Sequence, residues 1–115
     1  MAGKPHKRIV LAQNFLKSSK LVRSLLDKSS VARNDIVYEI GPGRGIITAE
    51  LARTARKVIA LEKDPILARQ LRSRFQDVEN VEIIACDFLR YRIPNRDYKI
   101  SVSYTHLTLP TNREV

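Results

Sequence analysis

The stretch Glu39-Ile40-Gly41-Pro42-Gly43-Arg44-Gly45 decides the fold of this chain. A short β-branched run over residues 36–40 leads into it, and residues with helical apolar spacing follow it from Ile46 onward. Glycines between a strand and a helix let the backbone turn sharply and let a ligand approach where a Cβ would clash. The spacing is G-x-G-x-G, and Ile46 stands where the dinucleotide fingerprint G-x-G-x-x-G has its third glycine. The stretch therefore predicts a strand, a ligand-binding turn and a helix.

Strands and helices alternate on both sides of this turn. This rhythm is typical of a parallel α/β sheet with right-handed crossovers. The basic, aperiodic residues 1–12 predict a flexible arm. Strands are predicted over 36–40, 57–61 and 81–86, and a further strand starts at 98–100. Helices are predicted over 18–30, with Ser18 or Ser19 as cap, from Ile46 to Ala52, and from Pro65, with Asp64 as cap. The apolar stripe of the last helix consists of Ile66, Leu67, Leu71 and Phe75.

Two acidic residues stand at predicted strand ends. Glu62 follows the second strand, 21 residues beyond Gly41, where an acid accepts hydrogen bonds from both ribose hydroxyls. Asp87 follows the third strand, where a carboxylate can accept from an exocyclic adenine amine, and Phe88 offers a face for the adenine ring. Such an acid alone is often only a helix cap or a solvated end. Because ligands of parallel sheets bind beyond the carboxyl ends of strands, the three positions together predict a site for an adenosine cofactor.

Composition sets the class of protein. The chain has 115 residues, of which 43% are hydrophobic and 29% charged, as expected for one soluble globular domain. It has no apolar run of membrane-spanning length and no secretory signal, so we expect a cytoplasmic protein without a membrane partner. The single cysteine, Cys86, cannot form an internal disulfide and is expected to be a buried structural thiol. One cysteine and two isolated histidines predict no metal site.

The charge is strongly positive and unevenly placed. The net charge is +9, and residues 1–35 carry eight basic residues against two acidic ones. Clustered basic side chains attract nucleic acid because binding releases condensed counterions from the phosphates. The alternative is a solvated face with no partner.

The motifs resemble a known family. E-I-G-P-G-R-G, the strand-end Glu62 and D-F-L at 87–89 resemble the S-adenosylmethionine motifs of Rossmann-like methyltransferases. Gln13-Asn14-Phe15-Leu16 resembles the Q-N-F-L signature of the ribosomal RNA adenine dimethyltransferases. That superfamily includes the erythromycin-resistance methyltransferases acting on large-subunit RNA and the small-subunit dimethyladenosine transferases. The stretches L-A-Q-N-F-L-K, V-I-A-L-E-K-D-P and D-F-L-R-Y are closer to the erythromycin-resistance branch.

The resemblance implies a fold, a cofactor and a reaction. The fold is α/β, the amino-terminal half of a Rossmann-like methyltransferase sheet. The implied cofactor is S-adenosylmethionine, the partner is ribosomal RNA, and the reaction is methylation of adenine N6 in 23S RNA by a monomer, giving macrolide-type resistance. The residues implied to bind the cofactor are Asn14 and Leu16 from the amino-terminal side, Gly41 and Gly43 at the methionine portion, Glu62 at the ribose, and Asp87 with Phe88 at the adenine.

The resemblance runs from about Arg8 to Ile100 and then fails. The family continues with N-[IL]-P-[YF], the loop that receives the target adenine, whereas residues 102–111 of this chain are V-S-Y-T-H-L-T-L-P-T. That decapeptide resembles a translated sequencing adapter. We therefore expect a basic arm over 1–17, a partial cofactor-binding domain over 18–101 and a non-native tail over 102–115, with no catalytic residue present. A genuinely divergent terminus is the alternative.

Three other functions stay open. A small-subunit (16S) RNA dimethyladenosine transferase shares all these motifs. A nicotinamide-dependent oxidoreductase would share the strand ends, although the missing third glycine argues against it. A non-enzymatic nucleic-acid-binding relative would keep the fold and the basic arm.

Overall fold

The computed structural model describes residues 8–12 and 30–104. They form a five-stranded sheet in the order β1-β5-β2-β3-β4, in which every neighbouring pair is parallel. The alternation of strands and helices is as predicted. The elements are β1 (Arg8–Ala12), β2 (Ile36–Ile40), α1 (Ile46–Thr54), β3 (Lys57–Glu62), α2 (Pro65–Arg74), β4 (Val81–Ala85), a 3₁₀ turn (Phe88–Arg90) and β5 (Lys99–Tyr104).

The prediction of a flexible arm over residues 1–12 is wrong for Arg8–Ala12. These residues form β1, which pairs in parallel with β5, Arg8 lying opposite Ile100. Five residues are too few to show a clear alternation of apolar and polar side chains. Because the partner strand lies far along the chain, the neighbouring sequence does not indicate the pairing either. The predicted helix over 18–30 lies almost wholly outside the described residues.

The other boundaries differ by a residue. β3 continues through Glu62, β4 ends at Ala85 instead of at position 86, and β5 begins at Lys99. Such shifts are ordinary at element ends, where the hydrogen-bonding pattern and not the side-chain pattern sets the limit.

One face of the sheet, here called the helix face, is covered by α1 and α2. Ile47 and Leu51 of α1 are fully buried against strand residues that include Val37 and Val58. The α2 helix contributes a second cluster. Its buried members and their sheet neighbours are Ala60, Ala68, Leu71, Phe75 and Ile83.

The predicted apolar stripe of α2 is correct for Leu71 and Phe75 and wrong for Ile66, whose side chain is 63% exposed. With 3.6 residues per turn, Ile66 lies about 160° around the helix axis from the buried Ala68. Ile66 therefore faces away from the sheet, although its spacing to neighbouring apolar residues looked helical.

The opposite face, here called the tyrosine face, is covered by the connection between β4 and β5. Tyr38 is 1% exposed, and its ring centroid lies 5.6 Å from that of Tyr98 and 6.1 Å from that of Tyr91. The Tyr38 hydroxyl donates a hydrogen bond to the side-chain oxygen of Asn95. The connection thus packs on a cluster of buried strand residues, Tyr38, Ile59 and Leu61.

Candidate cofactor-binding site

The glycine-rich loop between β2 and α1 needs its glycines for backbone reasons. Gly41, Gly43 and Gly45 have φ angles of 71°, 59° and 88°. These are left-handed values, which cost a residue with a Cβ about 1–2 kcal/mol each. The Gly45 amide donates to the Pro42 carbonyl at 2.9 Å and closes the turn, and the Gly45 carbonyl accepts from the Ala49 amide at 3.0 Å and opens α1.

Gly45 also has no room for a side chain. A Cβ built there would lie 2.7 Å from Cε2 of Phe75 and 3.2 Å from Cδ2 of Leu71. The third glycine of G-x-G-x-G therefore allows the loop to contact α2, in addition to supplying the turn.

Hydrogen bonds join the carboxyl ends of β2, β3 and β4. The Gly41 amide donates to the Leu61 carbonyl at 3.2 Å, and the Cys86 amide donates to the Glu62 carbonyl at 3.1 Å. Neighbouring strands lie roughly 4.8 Å apart, so the ends of β2 and β4 are about 10 Å apart. Gly41, Glu62 and Asp87 are brought to one edge in that order, as the sequence predicted.

Glu62 is not the cap of the following helix. Its side chain is 7% exposed, and Oε2 accepts a hydrogen bond from the Asp64 amide at 2.9 Å. Asp64 performs the capping, since its Oδ1 accepts from the amides of Ile66 and Leu67 at 2.9 and 3.5 Å. Within the described residues, Oε1 of Glu62 accepts no hydrogen bond, and it remains available to a hydroxyl donor at the strand edge.

Asp87 has a structural role of its own. Its Oδ1 accepts from the Leu89 amide at 3.0 Å and caps the 3₁₀ turn. This contact uses one carboxylate oxygen, and within residues 30–104 no hydrogen bond occupies Oδ2. The half-buried Phe88 packs with the tyrosine-face cluster, which fixes its ring beside the strand edge.

Cys86 precedes these residues and is half-buried, packed with the same cluster. Burial raises the pKa of the Cys86 thiol above its ordinary value, and the negative charge of Asp87 adds to the effect. A protonated, partly buried thiol fits the predicted structural role and is a poor nucleophile.

The sequence reasoning missed a buried pair behind the glycine loop. Glu39 and Thr48 are both 0% exposed, and the Thr48 hydroxyl donates to Oε1 of Glu39 at 2.5 Å. The contact joins the carboxyl end of β2 to the first turn of α1. An acid inside the apolar run of β2 was the available signal, because a buried carboxylate requires a hydrogen-bonding partner.

The remaining predicted residues, Asn14 and Leu16, lie outside the described residues. Among residues 30–104, no group of three or more His, Cys, Asp and Glu side chains could hold a metal ion. No helix in the described part of the chain is long and apolar enough to cross a membrane.

Comparison with known proteins gives consistent matches. Residues 5–112 match the sequence model of a family described as ribosomal RNA adenine dimethylase. The chain is 48% identical over 91 residues to "Ribosomal RNA small subunit methyltransferase A" of Koribacter versatilis, covering 76% of this chain and 30% of that protein. It is 32% identical over 88 residues to "rRNA adenine N-6-methyltransferase" of Bacteroides fragilis, covering 76% of this chain and 33% of the relative.

A solved structure is similar as well. The crystal structure of the 23S rRNA methyltransferase ErmE superposes with a TM-score of 0.69 at 31% identity, covering 75% of this chain and 35% of that one. The chain thus spans about a third of the length of the curated relatives it matches.

Proposed function

Because the chain belongs to the ribosomal RNA adenine dimethylase family, we propose that the intact protein containing it transfers a methyl group from S-adenosylmethionine to an adenine N6 of ribosomal RNA. The observation that carries the proposal is the joined carboxyl edge, where Gly41, Glu62 and Asp87 follow one another along roughly 10 Å. That span suits an adenosine bearing a methionine tail.

The residues of this edge fit the cofactor in chemistry as well as in spacing. Oε1 of Glu62 would accept from a ribose hydroxyl, while the Asp64 contact holds the carboxylate in place. Oδ2 of Asp87 would accept from the adenine amine. The left-handed glycines would let the methionine portion approach the backbone. Asn14 and Leu16 remain predicted contacts from the amino-terminal side.

When bound, S-adenosylmethionine supplies a methyl group on a positively charged sulfur. The protein's contribution is orientation, because holding two reactants in an attack geometry can supply roughly 7–11 kcal/mol of the barrier reduction. In this family that orientation depends on the N-[IL]-P-[YF] loop, which the sequence of this chain does not contain. We therefore expect the 115-residue chain itself to transfer no methyl groups to RNA.

Large-subunit RNA is the substrate that we propose first, since the motifs resemble the erythromycin-resistance branch and ErmE shares the fold. Methylation of that RNA would give macrolide-type resistance. Small-subunit RNA is the second candidate, and the 48% identity to a protein named as a small-subunit methyltransferase favours it. Tritiated methyl transfer by the intact protein to unmodified 23S RNA and to unmodified small subunits distinguishes the two. Methylation of neither would contradict the proposed function.

We further propose that residues 102–115 are not native, because the tail resembles adapter and replaces the expected loop. The family match extends to residue 112 and β5 continues to Tyr104, and both observations favour the alternative, a divergent native terminus. The genomic reading frame beyond Ile100 tests this directly. A frame encoding the N-[IL]-P-[YF] loop supports the proposal, and one encoding the present tail refutes it.

The ribose contact gives the sharpest test of the cofactor site. Glu62→Ala in the intact protein should weaken S-adenosylmethionine binding by about 1–3 kcal/mol, because a charged acceptor is lost. Isothermal titration calorimetry measures the affinity. The matched control is Glu82→Ala, which removes an exposed acid from the neighbouring strand β4 and should leave the affinity unchanged. Wild-type affinity in Glu62→Ala would exclude the ribose role.

A further inference from the structure

A groove lies on the α2 side of the glycine loop. It encloses about 240 Å³. Neither Glu62 nor Asp87 lines it, and it meets the predicted cofactor site only at Gly43 of the glycine loop. Its lining residues are Gly43, Arg44, Leu67, Gln70, Leu71 and Arg74.

The lining has an apolar floor and a cationic mouth. Leu71 is 2% exposed and Leu67 half-buried, whereas Arg44, Gln70 and Arg74 are exposed. Pockets for drug-sized ligands enclose about 300–1,000 Å³, so a groove of 240 Å³ suits a small group. Its polar mouth favours an anion over an apolar side chain.

The Arg74 guanidinium is held in position before any ligand arrives. Nη1 donates to the Arg44 carbonyl, and the guanidinium carbon lies 5.4 Å from the centroid of the Phe75 ring. A side chain that is already ordered loses less conformational entropy on binding. The remaining donors of its planar fork suit the oxygens of a phosphate.

Among the residues that the structure describes, neither arginine at the mouth of the groove forms an ion pair. Within residues 30–104, the ion pairs use the acids Glu50, Glu82 and Asp35, with Arg53, Lys57 and Lys99 as their respective partners. Neither Arg44 nor Arg74 is among these cations. Two arginines that line one groove generate a local positive potential that attracts an anion.

We propose that this groove binds a phosphate group of the RNA strand and so positions the substrate beside the glycine loop. The inference rests on the proposed function, since it takes ribosomal RNA as the substrate. It adds a contact site next to the cofactor edge, which it meets at Gly43. A backbone phosphate fits the volume of the groove, its two lining arginines and the net charge of +9.

The test removes the two charges together in the intact protein. Arg44→Gln/Arg74→Gln should lower the affinity for a labelled, unmodified ribosomal RNA fragment by about tenfold at moderate salt, and should reduce the slope of log affinity against log salt by about one unit, as expected for one lost phosphate contact. Fluorescence anisotropy over a salt series measures both. Arg74→Lys keeps the charge but loses the planar fork, so its RNA affinity should lie between those of the wild type and the double variant. If the double variant folds poorly, Arg44→Gln alone can be measured, because it spares the contacts of Arg74.

The same helix supplies a matched control. Arg69 and Arg72 are exposed but lie about 140–160° around the axis from Leu67, whereas Arg74 lies about 20° from it. Arg69→Gln/Arg72→Gln removes the same charge from the other flank and should change affinity and slope by much less. Equal weakening by the two double variants would show a general charge effect and overturn the proposal.

Two further measurements separate the sources of phosphate and the two hypotheses. Pyrophosphate should compete with RNA for binding to the wild type, and much less for binding to Arg44→Gln/Arg74→Gln. If the wild type binds pyrophosphate in the groove but the double variant keeps the wild-type affinity for RNA, the groove is a site for free phosphate and the RNA contact is refuted. S-adenosylmethionine affinity should be unchanged in Arg74→Lys, which leaves every residue of the glycine loop in place. A wild type that binds RNA through the groove but transfers no methyl group would contradict only the proposed function.

Discussion

The two faces of the sheet hold the candidate site in different ways. On the helix face, Val37, Val58 and Ala60 are fully buried beneath α1 and α2. On the tyrosine face, Tyr38 is just as buried, but the chain that covers it is a connection whose aromatic residues are only half-buried. The helix face fixes the glycine loop, and the tyrosine face fixes the segment that carries Asp87 and Phe88.

This difference indicates where substitutions should have the largest effect. Close-packed interfaces have little space to relax, so added atoms or lost hydrogen bonds are expensive there. A connection attached by a few contacts can adjust at lower cost. The methionine end of the site should therefore be more sensitive than the adenine end.

The largest expected effect is at Gly45, on the helix face. Gly45→Ala should lower the free energy of unfolding by about 2–4 kcal/mol, because the new Cβ combines left-handed strain with a 2.7 Å approach to Phe75. Urea unfolding monitored by circular dichroism measures the loss. Gly43→Ala is the control for backbone strain, since Gly43 also has a positive φ angle. A loss below 0.5 kcal/mol, on the order of a neutral surface change, would contradict the packing argument.

The next effect concerns the buried pair behind the loop. Thr48→Val should destabilise the protein by about 1–3 kcal/mol, because the Glu39 carboxylate loses a buried donor. The matched control is Thr54→Val in the same helix. Its hydroxyl donates only to the Glu50 carbonyl at 3.3 Å and is half-buried, so the loss should be under about 1 kcal/mol. Equal losses of unfolding free energy at both positions would mean that the hydrogen bond to the Glu39 carboxylate stabilises the protein no more than the one to the Glu50 carbonyl.

The smallest effect is expected on the tyrosine face. Tyr38→Phe removes the hydroxyl that donates to Asn95 and should cost about 0.5–1.5 kcal/mol. Asn95→Ala removes the acceptor instead, and the double variant should cost little more than either single change if the two side chains act as one pair. Urea unfolding of the three variants measures this, and strictly additive losses would argue against the pair.

Tyr38 also predicts a pH dependence. Burial, with a smaller contribution from the neighbouring Tyr91, raises the pKa of Tyr38 from 10.0 to about 12. The folded state therefore keeps its proton where the unfolded chain loses it, so this stabilisation is complete below pH 10 and is lost as the pH rises from about 10 to about 12. Across that pH interval, the free energy of unfolding should decline less steeply for Tyr38→Phe than for the wild type. Parallel curves would exclude the contribution.

Local sequence patterns predicted most of the carboxyl edge. The glycine spacing, the capping acid Asp64 and the position of Glu62 each depend on a few neighbouring residues, so the pattern contains the information. The strand β1 was missed because its partner lies in β5, and the pair of Glu39 and Thr48 was missed because periodicity describes burial but not hydrogen bonds. The exposed Ile66 shows the converse error, since apolar character alone does not fix a direction.

The sequence by itself determined the order of strands and helices, the left-handed turn between β2 and α1, and the acids at two strand ends, because backbone sterics and short-range periodicity set these features. Only the tertiary structure decided that β5 lies between β1 and β2, that Gly45 contacts Phe75, and that Arg74 reaches the Arg44 carbonyl. The physical reason is distance along the chain: these contacts join residues whose meeting depends on how the whole sheet and its helices pack.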